Sequence, residues 1–520
     1  LQVLSGSYRI YLVVAYEGMQ KRMRVLDLKS ISDQLDTYVG KRFNFILQHT
    51  NNGFLEFRTE QIASWMDRSK LRRGINYSIL YPMMRMLPIN RKLVVFESYW
   101  GDYFNGSPKA IYDYLRKSHP ELKFVWILTN DQIPIEGKAK RAKRLGFKYL
   151  YYMARAKYLV ENTNFPNQYS KRSGQIEVQT LHGTFMKTMG FDEPHFKNAT
   201  GGVQRNFAVR NNRWDLLTVP SKYMADTATK AFDFQHEIVA SGFPRNDALY
   251  QHDNPVYIEK VKRSLGIPLD KKVVLYAPTF RNNDDNSFDF ELDLDKLRKK
   301  LSDEYVVLVR LHYFVGHSMS FVDHQGFVWD VSDYPDIADL YLISDVMITD
   351  YSSVMFDYGH LKRPMIFFSY DKDWYLNGDN RGVYLDYDQT VPGPIVETTD
   401  EIIKHLQDFS ELENKYSAKI DQFYNKFCTY GRNGDASRIV SEKMLNLKPV
   451  TQDSIVHHLF INKVLRALRV ADFQSKLLNT LSRILKKKNI IILESFFGTQ
   501  FSDSPKAIYE YLKRSHPEYK

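Results

Sequence analysis

The chain has 520 residues, 43% of them hydrophobic and 26% charged, with 35 Tyr and 33 Phe. That length exceeds one ordinary core and that composition excludes a disordered chain, so two to four packed domains are expected. The formal net charge of +11 calls for a polyanionic or anionic-surface partner, and with no RNA-recognition signature, no Cys/His finger and the charge spread along the chain, nucleic acid is not expected.

Residues 1–60 alternate like sheet in Tyr8–Tyr16, Met23–Leu28 and Phe43–Leu47 and open on Leu1, which reads as the C-terminal part of a β-rich domain. Residues 61–91 turn basic and helical, a connector with Lys70, Arg72, Arg73, Arg85 and Arg91 among Leu, Ile and Met. From Leu93 the pattern changes to short apolar strands separated by helical stretches: Leu93–Phe96, Phe124–Leu128, Val273–Tyr276, Val306–Val309, Val346–Thr349 and Met365–Phe368. Such alternation predicts an α/β fold of two doubly wound, Rossmann-like lobes, 92–248 and 249–445, with a break near Pro244–Pro255 and a cleft between.

Residues 446–488 place Ile461, Val464, Leu465 and Leu468, then Leu477, Leu481, Ile484 and Leu485, at helical spacing amid Lys and Arg. This basic amphipathic stretch fits equally a linker helix packed on its own domain and a membrane contact. In 489–520, Glu494–Lys520 repeats Glu97–Lys123 with 17 of 27 positions identical, which reads as the start of a second, truncated copy of one catalytic module. No apolar run is long enough for a membrane span, no signal-peptide pattern stands at the start, and Cys428 is the sole cysteine, so a cytoplasmic chain without disulfides or thiolate metal clusters is expected.

Four clusters could carry chemistry. In Thr180–Asp192 a His-Gly-Thr turn follows a strand, so backbone amides can approach a phosphate while His182 accepts a hydroxyl proton, with Lys187 adding a cation; a surface or satisfied core histidine is the plain alternative. Gly242–Asp247 (GFPRND) and Tyr276–Arg281 (YAPTFR) join Pro, Gly and Arg at strand ends, suited to phosphate recognition or to pairing of Arg with a local carboxylate. Arg310-Leu311-His312 directly follows a strand, where open α/β sheets bind ligands, and its two basic groups suit paired phosphate oxygens. Thr349–Ser353 runs from strand into helix, so Ser352 and Ser353 are either simple caps or a diphosphate seat; Asp357 complements the helix dipole or bonds a ribose or polyol hydroxyl.

In order, HGTFMKTMGFD, GFPRND, YAPTFR, RLHY, DLYLISDVMITDYSSVMFDY and RGVYLDY resemble the CDP-glycerol glycerophosphotransferase family, which includes teichoic acid glycerol-phosphate and ribitol-phosphate polymerases and primases, over roughly residues 90–440. The resemblance implies a glycosyltransferase-B-like fold whose C-terminal lobe holds the CDP-polyol, with the acceptor entering from the N-terminal lobe. His182 matches the family's proposed base and Gly183, Thr184, Phe185 and Met186 its donor-lining turn; Arg245, Pro278, Thr279, His312, Tyr313, Ser352, Ser353 and Asp357 match its donor-binding positions. Leu181 and Phe185 depart from the family's common Trp and Pro, which puts the polyol in doubt.

The expected reaction transfers a polyol phosphate, glycerol phosphate first, from CDP-glycerol or CDP-ribitol to a hydroxyl of a lipid-linked polyanionic acceptor, a teichoic-acid-like or capsular polymer, at an anionic membrane surface, releasing CMP. His182 serves as base, and His312, Arg310, Arg245 and the serines take up diphosphate charge with no cofactor and no metal; Asp284 and Asp285 read as a solvated loop. The alternatives are a nucleotide-sugar glycosyltransferase and a catalytically silent scaffold module of a tandem enzyme.

Overall fold

The computed structural model describes strand backbones between residues 6 and 61, residues 69–449 apart from 167–168, 198, 200, 280–289, 312–321 and 379–381, and the helix Asp503–Ser515. His312, Tyr313, Asp284, Asp285 and the amphipathic stretch at 461–488 lie outside the described residues.

The first strands are β1 (Gly6–Arg9), β2 (Tyr11–Tyr16), β3 (Met19–Arg24), β4 (Thr37–Val39), β5 (Phe43–His49) and β6 (Leu55–Gln61). They form an antiparallel sheet in the order β1-β6-β5-β4 and a separate β2-β3 hairpin. Residues 70–85 then run as consecutive helical turns, Lys70–Ile75, Asn76–Leu80 and Tyr81–Arg85.

Two parallel sheets follow. The N-terminal lobe contains β7 (Asn90–Glu97), β8 (Lys123–Leu128), β9 (Ala139–Lys143), β10 (Ala156–Glu161), β11 (Ile176–Gln179), β12 (Leu216–Thr218) and β13 (Glu237–Val239), ordered β13-β12-β11-β10-β7-β8-β9. The C-terminal lobe contains β14 (Lys272–Tyr276), β15 (Tyr305–Val309), β16 (Val328–Asp330), β17 (Val346–Thr349), β18 (Met365–Phe368) and β19 (Ile395–Val396), ordered β16-β15-β14-β17-β18-β19. In each lobe the first strand lies beside the fourth, the doubly wound order expected from the sequence, and the reversal opens a crevice beyond the carboxyl ends of those two strands.

Alternation along each strand feeds a core on both sheet faces. Val94 and Phe96 join one cluster with Ile111 and Leu115, while Leu93 and Val95 join another with Leu150 and Met153. In the second lobe Val273 and Leu275 face Leu340 and Phe356, while Val274 and Tyr276 face Leu297 and Ile402. Local chemistry fixes helix ends: Asn254 caps Pro255–Leu265 through the Tyr257 amide, Pro255 opens it, and Gly266 ends it at φ 69°.

The two lobes are interlocked. Helix Ala436–Asn446, the last of the C-terminal lobe in sequence, places Val440 and Met444 in the first lobe's core, so the division in space differs from a cut at residue 445. Its first amides bond the Asp247 carboxylate at 2.9 and 2.8 Å. Gly242 (φ 85°) and Gly431 (φ 78°) meet so closely that a Cβ on Gly242 would stand 2.9 Å from the Gly431 Cα. Helix Asp503–Ser515 has the length and, by the repeat, the position of Gly106–Ser118.

Candidate active site

The His-Gly-Thr turn is built on the carboxyl end of β11. Thr180 donates its N–H to the Glu161 carbonyl at 2.8 Å, and Leu181, held at φ 53°, donates its own to the buried Gln179 Oε1 at 2.8 Å. Gln179 in turn donates to the Thr163 carbonyl at 2.8 Å and to Glu161 Oε1 at 3.3 Å. Burial, with Glu177 beside it, pushes the Glu161 carboxyl well above the usual range. A left-handed Leu is costly, and this network holds it so that the next residue faces the cleft.

That residue, His182, is exposed to the cleft. Its Nδ1 lies 2.9 Å from the Asn162 carbonyl. A carbonyl only accepts, so Nδ1 carries the hydrogen and Nε2 keeps its lone pair. The surrounding cleft walls strip hydration and lower the imidazole pKa; the Asn162 bond opposes this and the Arg245 charge adds to it. His182 is therefore a neutral imidazole at neutral pH, with Nε2 set up to take a proton.

Facing it is the crevice of the other lobe. A Cβ on Gly183 would stand 2.8 Å from Ser353 Oγ, so the His-Gly-Thr and Asp-Tyr-Ser-Ser turns meet across the cleft. Ser353 begins the short helix Val354–Tyr358 without using its hydroxyl as a cap, and the Ser352 hydroxyl accepts the Val354 N–H at 3.5 Å. Pro278 and Thr279 leave the adjacent β14, where Thr279 bonds Asp350 through its amide at 2.8 Å and its hydroxyl at 2.5 Å. The fifth strand of the first lobe, β11, and the first and fourth of the second, β14 and β17, thus deliver their ends to one place.

The remaining sequence-derived residues divide. Arg245 Nη2 bonds both oxygens of Asp357 at 2.8 Å, and Asn246 adds a third bond at 2.8 Å. Asp357 therefore serves as the carboxylate partner of Arg245, an ion pair across the lobes; burial disfavours the guanidinium charge, and Asp357 together with Tyr99 and Tyr341 more than restores it. Arg310 Nη1 donates to the Val331 and Tyr334 carbonyls at 2.9 and 2.8 Å. The side chains of Thr184, Phe185, Met186 and Leu311 are buried, Phe185 against Phe232, so the stretch after Gly183 offers the cleft backbone more than side chains. Lys187 sits 4.4 Å over the Tyr375 ring, and Met186 and Thr188 pair with Tyr384 and Gly382. That pairing docks Gly382 and Tyr384 on the first lobe.

Sequence reasoning missed the residues that frame His182. Asn162 supplies the carbonyl on Nδ1, accepts the Tyr99 amide at 2.8 Å and donates to Ser98 Oγ at 3.2 Å. The Tyr99 ring lies 5.9 Å from the imidazole, and Ser107 Oγ accepts the Arg245 amide at 3.4 Å. The internal repeat carried part of this signal, because it begins at Glu97 and keeps Ser98 and Ser107.

Comparison with known proteins joins these turns into one family. The family of CDP-Glycerol:Poly(glycerophosphate) glycerophosphotransferases matches residues 79–446, which spans both lobes and every turn described above. The chain belongs to that family. The teichoic acid poly(glycerol phosphate) polymerase of Bacillus subtilis is 38% identical over 407 residues, 76% of this chain and 54% of the polymerase. The teichoic acid glycerol-phosphate transferase of Staphylococcus aureus is 38% identical over 392 residues, 72% of this chain and 99% of the transferase. The solved wall teichoic acid polymerase TagF superposes with a TM-score of 0.68 at 36% identity, covering 72% of this chain and 93% of TagF. The chain spans about half the length of the Bacillus subtilis and Staphylococcus epidermidis polymerases, 54% and 50%. Among glycerophosphotransferases of this family, the doubly wound fold expected from the sequence is thus shared with TagF.

Proposed function

We propose that this glycerophosphotransferase moves glycerol phosphate from CDP-glycerol to the terminal hydroxyl of a lipid-linked teichoic-acid-like polymer. The observation that carries the reading is His182 with its Nδ1–H fixed on the Asn162 carbonyl, on a turn whose next residue, Gly183, meets Ser353 of the other lobe. Nε2 takes the proton of the acceptor hydroxyl as that oxygen bonds the glycerol-bearing phosphorus. The bond from that phosphorus to the bridging oxygen breaks, and CMP leaves with the electron pair. Charge building on the phosphate of the departing CMP falls to Ser352, Ser353 and backbone amides of the facing turns, with His312, Tyr313 and the Arg310 and Arg245 cations as further donors, and no metal or cofactor takes part.

Glycerol is favoured over ribitol because the glycerol-phosphate relatives are 38% identical and the poly(ribitol-phosphate) polymerase of Bacillus spizizenii 30%; TagF crystals have been soaked with CDPG. Peripheral membrane attachment is supported by an outward stripe of Leu71, Ile75, Ile79, Met83 and Met86, all exposed, with Arg72 and Arg73 between them. No helix among the described residues is long and apolar enough to cross a membrane. The repeat at 494–520 supports a tandem arrangement of two such modules.

The test is CMP release from CDP-glycerol and, separately, CDP-ribitol, with a lipid-linked glycerol-phosphate primer. Primer-dependent release with CDP-glycerol supports the reading; release with neither donor refutes it.

A further inference from the structure

The turn leaving β7 holds two bulky residues in the left-handed region, Tyr99 (φ 45°) and Trp100 (φ 55°), followed by Gly101 (φ 87°). L side chains adopt that conformation only at a cost, so the surroundings must impose it. They do: the Tyr99 and Trp100 amides donate to Asn162 Oδ1 at 2.8 Å and Thr163 Oγ1 at 3.3 Å, and Thr129 Oγ1 bonds Asp102 at 2.7 Å. Strain maintained beside a reactive histidine directs attention to what the turn displays.

It displays phenols. The Tyr99 ring stands 5.9 Å from the His182 imidazole and 5.8 Å from the Tyr103 ring, edge to face. Tyr99 thus stands beside the cleft-exposed His182, with Tyr103 against it. Trp100 and Tyr103 remain exposed. Asn105 ties the end of the segment to the opposite lobe through the Pro335 carbonyl at 3.1 Å.

The internal repeat separates frame from display. Glu97, Ser98, Gly101 and Phe104 recur as Glu494, Ser495, Gly498 and Phe501, whereas Tyr99, Trp100, Asp102, Tyr103 and Asn105 are replaced by Phe496, Phe497, Thr499, Gln500 and Ser502. The retained positions are structural: a Cβ on Gly101 would stand 3.2 to 3.4 Å from backbone of residues 127–129, and Phe104 packs 4.5 Å from Trp126. The replaced ones include both phenols beside His182.

We propose that Tyr99 and Tyr103 are the acceptor contacts of this site, receiving the terminal polyol-phosphate unit whose hydroxyl His182 deprotonates, and that the residue pair at these positions sets which acceptor is taken. Ring faces pack on the C–H groups of the polyol and hydroxyls donate to its phosphate oxygens. Residues 494–502, with phenyl and carboxamide at the two positions, carry a sequence suited to a different acceptor. The inference rests on the transferase reading above.

The experiment varies primer at saturating CDP-glycerol, and CDP-glycerol at saturating primer, for the wild-type chain, Tyr99→Phe, and Tyr99→Phe with Tyr103→Gln. Losing a hydroxyl bonded to an anion raises the acceptor KM by about 10-fold or more, and the double variant raises it further. The donor KM stays within about two-fold, and the unfolding temperature of Tyr99→Phe is unchanged, since the ring is kept. An active wild type whose variants keep its acceptor KM, or raise only the donor KM, overturns this inference alone; a wild type that releases no CMP from CDP-glycerol overturns the transferase reading and this inference together.

Discussion

Gly183→Ala tests the apposition of the two lobes directly. Alanine adopts the Gly183 backbone conformation without strain, so the effect comes from contact alone: the new methyl would stand 2.8 Å from Ser353 Oγ and 3.3 Å from Ser353 Cβ. Ordinary contact needs about 3.5 Å, so the Ser353 side chain and its turn must together give way by roughly 0.7 Å. Misplacement of 1 Å at a reacting centre can cost about 100-fold, so kcat/KM for primer-dependent CMP release is expected to fall about 10-fold. Stability should drop by no more than about 1 kcal/mol, because the turns border an open cleft. Ser353→Ala removes the nearer contact and leaves the Cβ one, so in that background Gly183→Ala should cost only about three-fold, a coupling the double-mutant cycle reads directly. Equal costs in both backgrounds, or no cost in either, would refute the reasoning.

Three more outcomes follow from the buried charges and the imidazoles. Because the His182 pKa is lowered and its neutral form is the base, kcat/KM should be flat at neutral pH and fall only through a pKa below the ordinary 6.5; an acid limb above 6.5 in the pH profile would contradict this. His360, buried on the Tyr250 hydroxyl at 2.7 Å, has its pKa lowered to about 4. The unfolded chain then binds a proton that the folded chain refuses, so stability is full above pH 6.5 and falls by up to about 3 kcal/mol on acidification to pH 4; denaturant melts of His360→Gln should show a shallower decline. Arg245→Met strands the Asp357 carboxylate and should destabilise by about 3–5 kcal/mol in the same melts, whereas adding Asp357→Leu should recover much of the loss, and no recovery would show that the pair is not the interaction removed.

The sheets were legible in the sequence where strands are continuously apolar. Val273–Tyr276 and Val306–Val309 are buried on both faces, so they read as uninterrupted runs and fall inside β14 and β15. Strands β9, β12 and β13 did not stand out: Ala139–Lys143 is an edge strand carrying three Lys or Arg, and the others are three residues long. At the site, Ser353 was legible because a Ser-Ser turn follows the apolar strand β17, and His182 because a Gly-Thr turn follows a short strand. Asn162, Gln179 and Tyr99 were not, since each acts through a backbone carbonyl, a buried amide or a strained φ that leaves no mark in residue type or spacing. For Arg245 and Asp357 the sequence offered a ligand role and a pairing role, and only the folding of residue 245 onto residue 357 brings the two together.

The most direct test of the account is primer-dependent CMP release from CDP-glycerol by the wild-type chain and His182→Asn, with donor binding followed in parallel. The account predicts release by the wild type, a loss of about 100- to 10,000-fold in the variant, the range of a general base, and CDP-glycerol affinity retained. Wild-type turnover by His182→Asn would contradict it.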